Sequence, residues 1–413
     1  MERVILHCDS NSFYASVECL HHPEIRKKPV AVGGDAEQRH GIILAKNQLA
    51  KRYHVQTGEA LWQAKAKCPD LVIVPPHYDL YMRFCKMAHK IYLDYTDQVE
   101  PFGLDECWLD VTGSGIRGSG MEIAEKIRRR IKEELGITGS IGVSYNKIFA
   151  KLGSDYRKPD AITRIGKENY REIAWPLPVE DLLYVGPATE RKLKRIGIDT
   201  IGALAQTSES ELVYWLGKWG IVLRTFANGM DLSPVEKYGA VSPVKSIGNS
   251  STTPRDLTCD DDVRIMLCVL ADSVGRRLRE QGLCGRVVSI SVRDANLISI
   301  TRQRKLSQYT TLTSDIVNTA MQLFKESWRW PHPIRSVGVS ISDLAPDTMP
   351  TQVSFFADER ARVRKEHLDK TTDWLKRRFG SKSVVPCTLL IDRALSDLDP
   401  KRDHVIHPVG YFK

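Results

Sequence analysis

Two adjacent carboxylates, Asp105 and Glu106, stand between apolar, strand-like runs in Val99-Glu100-Pro101-Phe102-Gly103-Leu104-Asp105-Glu106-Cys107-Trp108-Leu109-Asp110. Neighbouring strand residues point to opposite faces, so a hairpin tip is where both could reach one cation. A second acidic strand end lies far upstream, in Val4-Ile5-Leu6-His7-Cys8-Asp9. If these segments are adjacent strands, Asp9, Asp105 and Glu106 form an all-oxygen cluster. Such donors suit Mg²⁺ held with substrate phosphates, and paired metals can serve both oxygens of a phosphoryl displacement. An acidic pair at a hairpin tip is usually plain turn chemistry, so the rest of the chain has to decide.

With 413 residues, the chain exceeds one ordinary core, and three or more domains are expected. Up to residue 165, strands and helices alternate. Strands are expected at Val4–Asp9, Pro29–Gly34, Gly41–Ala45, Leu71–Val74, either side of Asp105-Glu106, and at Ser140–Ser144. Helices are expected at Ser12–Leu20, Lys46–Tyr53, Leu61–Lys67, Asp79–Tyr95, Met121–Leu135 and Asn146–Tyr156. Setting 18–77 aside as an insertion leaves strand, helix, hairpin, helix, strand, close to a ferredoxin-like split βαβ unit. Residues 166–240 read as helical. Residues 243–345 read as strand, helix, strand, strand, helix, strand. In the tail a helix is expected at Asp358–Phe379, with Leu368, Thr372, Leu375 and Phe379 as its apolar face.

No apolar run approaches the ~18 residues needed to cross a membrane. The chain opens directly into a strand, so no signal peptide is expected. Nine cysteines without a CxxC pair argue against a zinc site or disulfide framework and fit a reducing cytoplasm. A net charge of +9 favours a polyanionic partner.

These residues together resemble the Y-family DNA polymerases, the translesion enzymes, most closely the DinB-like bacterial branch. The resemblance runs in order over about the first 345 residues. His7-Cys8-Asp9-Ser10-Asn11-Ser12-Phe13-Tyr14-Ala15-Ser16-Val17-Glu18 is similar to the family's first catalytic motif, Gly103–Asp110 to its second, and Ser140–Lys151 to its third. The resemblance implies an α+β multidomain, right-hand polymerase: a ferredoxin-like palm (1–17 and 78–165), small fingers (18–77), a helical thumb with a helix-hairpin-helix (166–240) and an α/β little finger (243–345). Residues 346–413 remain as a linker and helical tail.

The family's roles carry over residue by residue. Asp9, Asp105 and Glu106, with the Ser10 carbonyl, would hold two Mg²⁺ ions for transfer of deoxynucleotides to a primer 3′ end. Tyr14 matches the steric gate, whose ring leaves no room for a 2′-hydroxyl. Lys158 matches a triphosphate-binding lysine, and the amides of Phe13 and Tyr14, near a helix start, add anion contacts. Where many members carry Tyr and Arg in the fingers helix, this chain has Gln48 and Lys51, and lysine lacks arginine's bidentate fork. Ile42 and Leu44 fall where the family presents small residues over the nascent base pair, so poor bypass of bulky lesions is expected; the alternative is that both pack the fingers' own core.

DNA contacts are expected from the hairpin around Gly186, Thr189 and Lys192, where Tyr184 replaces the usual first glycine, and from Lys245, Arg293, Arg302, Arg304 and Lys305 in the little finger. Gln352-Val353-Ser354-Phe355-Phe356 resembles a bacterial sliding-clamp-binding peptide, with Gln352, Phe355 and Phe356 as contacts. The expected enzyme is a cytoplasmic monomer acting on primer-template DNA and deoxynucleoside triphosphates. A catalytically silent DNA-bound scaffold is the alternative, and a nucleotidyl cyclase a more distant one.

Overall fold

The computed structural model describes residues 2–34, 41–241, 243–350 and 358–400. They fall into two compact units, residues 2–34 with 42–241, and residues 243–400.

In the first unit the strands are β1 (Ile5–Ser10), β2 (Val30–Gly33), β3 (Ile43–Lys46), β4 (Val72–Val74), β5 (Val99–Pro101), β6 (Glu106–Asp110), β7 (Gly139–Ser144) and β8 (Ile162–Ile165). They make a five-stranded sheet, β5-β6-β1-β7-β8, and a three-stranded sheet, β3-β2-β4. β1 is antiparallel to both neighbours, β6 and β7. The edge strand β8 had no counterpart in the sequence reading; it is only four residues long and lies parallel to β7.

Alternation along β1 sorts its side chains. Leu6 and Cys8 join a core with Leu109, Ile123, Ile127 and Ile131, roofed by the helices Tyr78–Leu93 and Gly120–Leu135. Ile5, His7 and Asp9 turn to the other face, where the helix Lys147–Tyr156 lies. That helix comes very close to the sheet at Gly142. A Cβ there would run into the Ala150 carbonyl oxygen and sit 2.6 Å from the Ser154 nitrogen. The helix starts where the Asn146 side chain accepts a hydrogen bond from the Phe149 amide at 2.8 Å.

After β8 come the helices Tyr170–Ile173, Pro187–Arg195, Ile201–Gln206, Glu209–Leu216 and Lys218–Ala227 around a core that includes Leu193, Leu204, Leu212 and Leu223, and residues 228–241 follow without a helix.

The second unit holds β9 (Ser246–Leu257), β10 (Leu283–Asp294), β11 (Ser299–Thr310) and β12 (Ile334–Pro346), all antiparallel in the order β11-β10-β12-β9. The helices Asp260–Glu280 and Thr313–Ser327 share one core with Val288, Ile290, Val292, Val337 and Val339. Ser289, Ser291, Ser340 and Gly338 alternate with those core residues, so small side chains line the sheet's other face.

The tail helix forms at Glu359–Phe379, but its docking face is not the apolar one expected. Leu368 and Phe379 are 64% and 63% exposed, whereas Asp373 and Lys376 are buried. Arg279 of the helix Asp260–Glu280 donates to Asp369 at 3.0 Å and to Asp373 at 2.6 Å, and Lys376 pairs with Asp272 at 2.8 Å. Complementary charges on the partner helix, absent from any local pattern, set the face that is buried. Among the described residues, no helix is long and apolar enough to cross a membrane.

Candidate active site

The register of the central sheet sets Asp9 directly opposite Glu106 and, on its other side, opposite Ser140. Cross-strand partners share a face, so both carboxylates look toward the helix Lys147–Tyr156. Asp105 ends the hairpin just before β6, and its carbonyl accepts from the Ser10 amide at 3.1 Å. The three acids singled out from sequence thus meet at one end of β1, with Ser10 beside them.

Two lysines occupy this acidic corner. Lys151 lies 3.0 Å from Glu106 and 3.3 Å from Asp9; Lys158 lies 2.6 Å from Asp9. Asp155 holds both, at 3.2 Å and 2.6 Å. Burial opposes the charge of each ammonium. For Lys151 the fields of Glu106, Asp155 and Asp9 win, and for Lys158 those of Asp9 and Asp155, so both pKa values end above the lysine range. Among the described residues, no ammonium or guanidinium lies within 4 Å of Asp105, and the more distant charge of Lys151 offsets only part of its burial. Burial first, then the charges of Asp9 and Glu106, push it up to about 7. His7 lies beneath, with Nδ1 2.8 Å from the Ser154 hydroxyl; burial, then Lys151, drives its pKa well below the usual value.

Among the described residues, no three carboxylate, imidazole or thiolate groups already form a metal cage. The donor chemistry nevertheless fits a hard divalent cation: three carboxylates, and a peptide carbonyl at Ser10.

Asn11 ties the corner together. Its Nδ2 donates to the Ser140 hydroxyl at 2.9 Å, and its Oδ1 accepts from Thr138 at 3.1 Å and from the Asp160 amide at 2.8 Å. Lys158 sits two residues before Asp160, so this amide side chain anchors the turn that carries it. Beyond it the helix Phe13–His21 begins. Phe13 is buried, and Tyr14 lies half-buried with its ring stacked on Tyr81, centroids 4.3 Å apart and 10° from parallel. The Tyr81 hydroxyl donates to the fully buried Glu18, which His77 also contacts at 3.0 Å.

Just after β3, Gln48 opens the helix Gln48–Arg52 and lines a cavity of about 250 Å³ with Asn11, Ser12, Arg26 and Thr138. Partial desolvation, then the nearby charge of Lys158, lowers the pKa of Lys51, so Lys51 faces the same corner. Ile42 is 44% exposed and Leu44 half-exposed, while Ile43 between them is buried. Ile42 and Leu44 therefore lie off the local core.

The hairpin before Pro187–Arg195 keeps its glycine-like backbone although the residue is Tyr184, at φ 72°. The Tyr184 ring lies 6.0 Å from Trp219 and 6.1 Å from Phe226. Gly186 caps the helix, Thr189 is half-buried and Lys192 is exposed.

In the second unit the expected cations divide. Lys245 is exposed just before β9, and Lys305 pairs loosely with Asp343 at 3.8 Å. Arg293 is exposed, on the same face as Ser289 and Ser291, and donates to the Leu297 carbonyl at 3.2 Å. Arg302 stands opposite the core residue Ile290, on the helix-facing side of β11, and Arg304 is paired with Glu326 at 2.5 Å. Gln352, Phe355 and Phe356 lie outside the described residues.

Sequence reasoning quoted Asn11 and Lys151 without giving either a role and passed over Asp155 and Tyr81. The spacing Lys151–Asp155–Lys158, four and then three residues apart, is a helical ion-pair signal that could have found two of them. Tyr81 had no local signal.

A mixed five-stranded sheet with carboxylates at one end of its central strand, a helical segment packed on the helix Lys147–Tyr156 and a separate four-stranded unit define a Y-family polymerase. Residues 8–155 match the impB/mucB/samB family and residues 244–355 its C-terminal domain. The chain is 54% identical to DNA polymerase IV of Acetivibrio thermocellus over 96% of its own length and 100% of that protein. It is 39% identical to DNA polymerase IV of Moorella thermoacetica over 92% and 94%. Its fold is similar to that of a solved Y-family DNA polymerase chimera of Dbh and Dpo4, with a TM-score of 0.72 at 22% identity, covering 83% of this chain and 99% of that one. The chain belongs to the impB/mucB/samB family, in its DinB-like Y-family branch, and is a translesion DNA polymerase.

Proposed function

We propose that Asp9, Asp105 and Glu106, with the Ser10 carbonyl, form the seat for two Mg²⁺ ions in templated deoxynucleotide transfer. The observation that carries this reading is the register of Asp9 opposite Glu106, with Asp105 bonded to the same strand end. When bound, the ions would supply an acidified primer 3′-hydroxyl and charge neutralisation at the leaving pyrophosphate.

The chain's own residues do the rest. Lys158, Lys51 and the amides of Phe13 and Tyr14 hold the triphosphate, with Gln48 alongside. Tyr14 closes the space beneath the sugar and rejects ribonucleotides. Ile42 and Leu44 cover the nascent base pair, an assignment supported by their exposure. Residues 1–17 with 78–165 serve as palm, 18–77 as fingers, 166–240 as thumb and 243–345 as little finger. The hairpin at Gly186, Thr189 and Lys192 grips a phosphate, as do Lys245 and Arg293; Arg302 and Arg304 have weaker support, being turned toward the helices. Gln352, Phe355 and Phe356 dock on a sliding clamp, and the enzyme acts as a cytoplasmic monomer.

The test is primer extension on a primed template with Mg²⁺ and each deoxynucleotide separately, beside Asp105→Ala/Glu106→Ala. Templated extension that disappears in the double mutant supports the assignment. Extension that survives it removes these residues from catalysis. Tight primer-template binding without extension by the wild type would favour the scaffold alternative.

A further inference from the structure

The tail helix Glu359–Phe379 spends all its acids on pairing. Glu359 and Glu366 hold Arg362 within the helix, while Asp369 and Asp373 hold Arg279 of the helix beneath. Away from the docked edge, Arg360, Arg364, Lys370 and Arg378 are exposed. At 100° per residue they share one side with Trp374. Among the described residues, none of these four cations has a carboxylate within 4 Å.

Trp374 is 52% exposed, and the Arg378 guanidinium lies 5.6 Å from its ring centroid. The ion pairs that dock the helix run through Asp369, Asp373 and Lys376, on a side of the helix turned away from Trp374. A helix of 21 residues is about 31 Å long, so the cations make a continuous positive track with one open aromatic ring in it.

We propose that this side of the tail helix binds single-stranded DNA, the four cations following the phosphates and Trp374 stacking on a base. The charge calls for a polyanion. The ring selects a single strand over a duplex, because only unpaired bases offer a free face, and base–aromatic stacking is indifferent to sequence. A polymerase working on a primed template has such a strand as part of its substrate. The tail thereby adds a second nucleic-acid surface to its unit, on the helical side of the sheet and separate from the small-residue face.

The test uses the full chain, with fluorescence anisotropy on labelled oligo(dT) and on a blunt duplex of equal length. One variant carries Arg360→Glu, Arg364→Glu, Lys370→Glu and Arg378→Glu; another carries only Trp374→Ala. All five positions are exposed, and an unchanged melting temperature verifies folding. A milder form, Arg364→Gln with Lys370→Gln, covers the case in which fourfold reversal disturbs the helix. The charge variant is expected to bind oligo(dT) at least tenfold more weakly. Its log K against log salt slope should be shallower by about 0.7 for each phosphate that is no longer neutralised. Trp374→Ala is expected to weaken oligo(dT) about tenfold and leave the duplex unchanged. Wild-type affinity and slope in the charge variants would overturn the proposal. So would a Trp374→Ala protein that binds oligo(dT) normally or is weakened toward the duplex to the same extent.

Discussion

The ring of Tyr81 lies flat against that of Tyr14, 4.3 Å between centroids and 10° from parallel, and its hydroxyl is anchored on Glu18. Tyr14 is the residue assigned to sense the sugar, and Tyr81 backs it from the helix Tyr78–Leu93. Removing the backing should blur the sensor while leaving it in place. Tyr81→Ala is expected to cut discrimination against ribonucleotides about tenfold, or ~1.4 kcal/mol, less than Tyr14→Ala does. Single-nucleotide insertion with matched deoxy- and ribonucleotides measures both. Unchanged discrimination in Tyr81→Ala would show that Tyr14 holds its position unaided.

Lys151 pairs with Glu106 and shares Asp9 with Lys158. Lys151→Ala takes the cation from Glu106 and leaves Asp9 with Lys158 alone, and breaking such a buried pair costs about 3–5 kcal/mol. The melting temperature in chelator should fall, and Mg²⁺ should restore more of it in the variant than it adds to the wild type. Thermal melts with and without Mg²⁺ are the measurement. Equal Mg²⁺ shifts in the two proteins would separate Lys151 from the metal seat.

Gly142→Ala would drive a methyl group into the backbone of the helix that carries Lys151. Overpacking of this kind usually costs about 1–3 kcal/mol, and the rigid carbonyl places this site at or beyond the upper end. We expect a lower denaturation midpoint together with abolished extension activity, since the helix must lift off the sheet. Normal activity would mean that the helix can move without disturbing the carboxylates.

Tyr184 holds a left-handed backbone that costs an ordinary residue roughly 1–2 kcal/mol, offset by the packing of its ring on Trp219 and Phe226. Tyr184→Gly trades one for the other and should shift stability little. Tyr184→Val keeps the strain, adds β-branching and gives up the ring packing, and should destabilise clearly. Urea midpoints for the pair decide; similar values would mean that the backbone at 184 is unstrained.

In the second unit Asp262 takes a bidentate hydrogen bond from Arg255, at 2.7 Å and 2.9 Å, which lowers its pKa to about 2. A carboxylate depressed by folding stabilises the native state above its unfolded value near 4, and that stabilisation is lost as pH falls through 2. Asp262→Asn should therefore lower the urea midpoint at pH 7, with the gap narrowing between pH 4 and pH 2. A gap independent of pH would assign the effect to packing.

Much of the acidic corner was legible because it lies in contiguous motifs. Alternation along Val4–Asp9 and the acidic hairpin at 105–106 implied adjacent strands, and the register bears this out. Lys151 was harder to see, since a cation beside an acidic motif reads equally well as solvated, and Lys158 was read as a triphosphate ligand without its pairing to Asp9. The strand Ile162–Ile165 was too short to stand out. The tail helix was found with nearly correct ends but the wrong buried face, because periodicity registers apolar residues and this helix docks through charge. Tyr81 lies 67 positions beyond Tyr14 in the chain, and only the folded sheet and its helices bring the two rings together.

Asn11 joins the end of β1 to Ser140 on β7 and to the turn at Asp160. It spans a fixed gap with a side chain of fixed length, so position 11 and the length of the turn after the Lys147–Tyr156 helix are bound to change together. In an alignment of relatives, insertions or deletions between residues 157 and 161 should coincide with replacements at position 11, and each such coincidence would mark a lineage that rebuilt the mooring of Lys158.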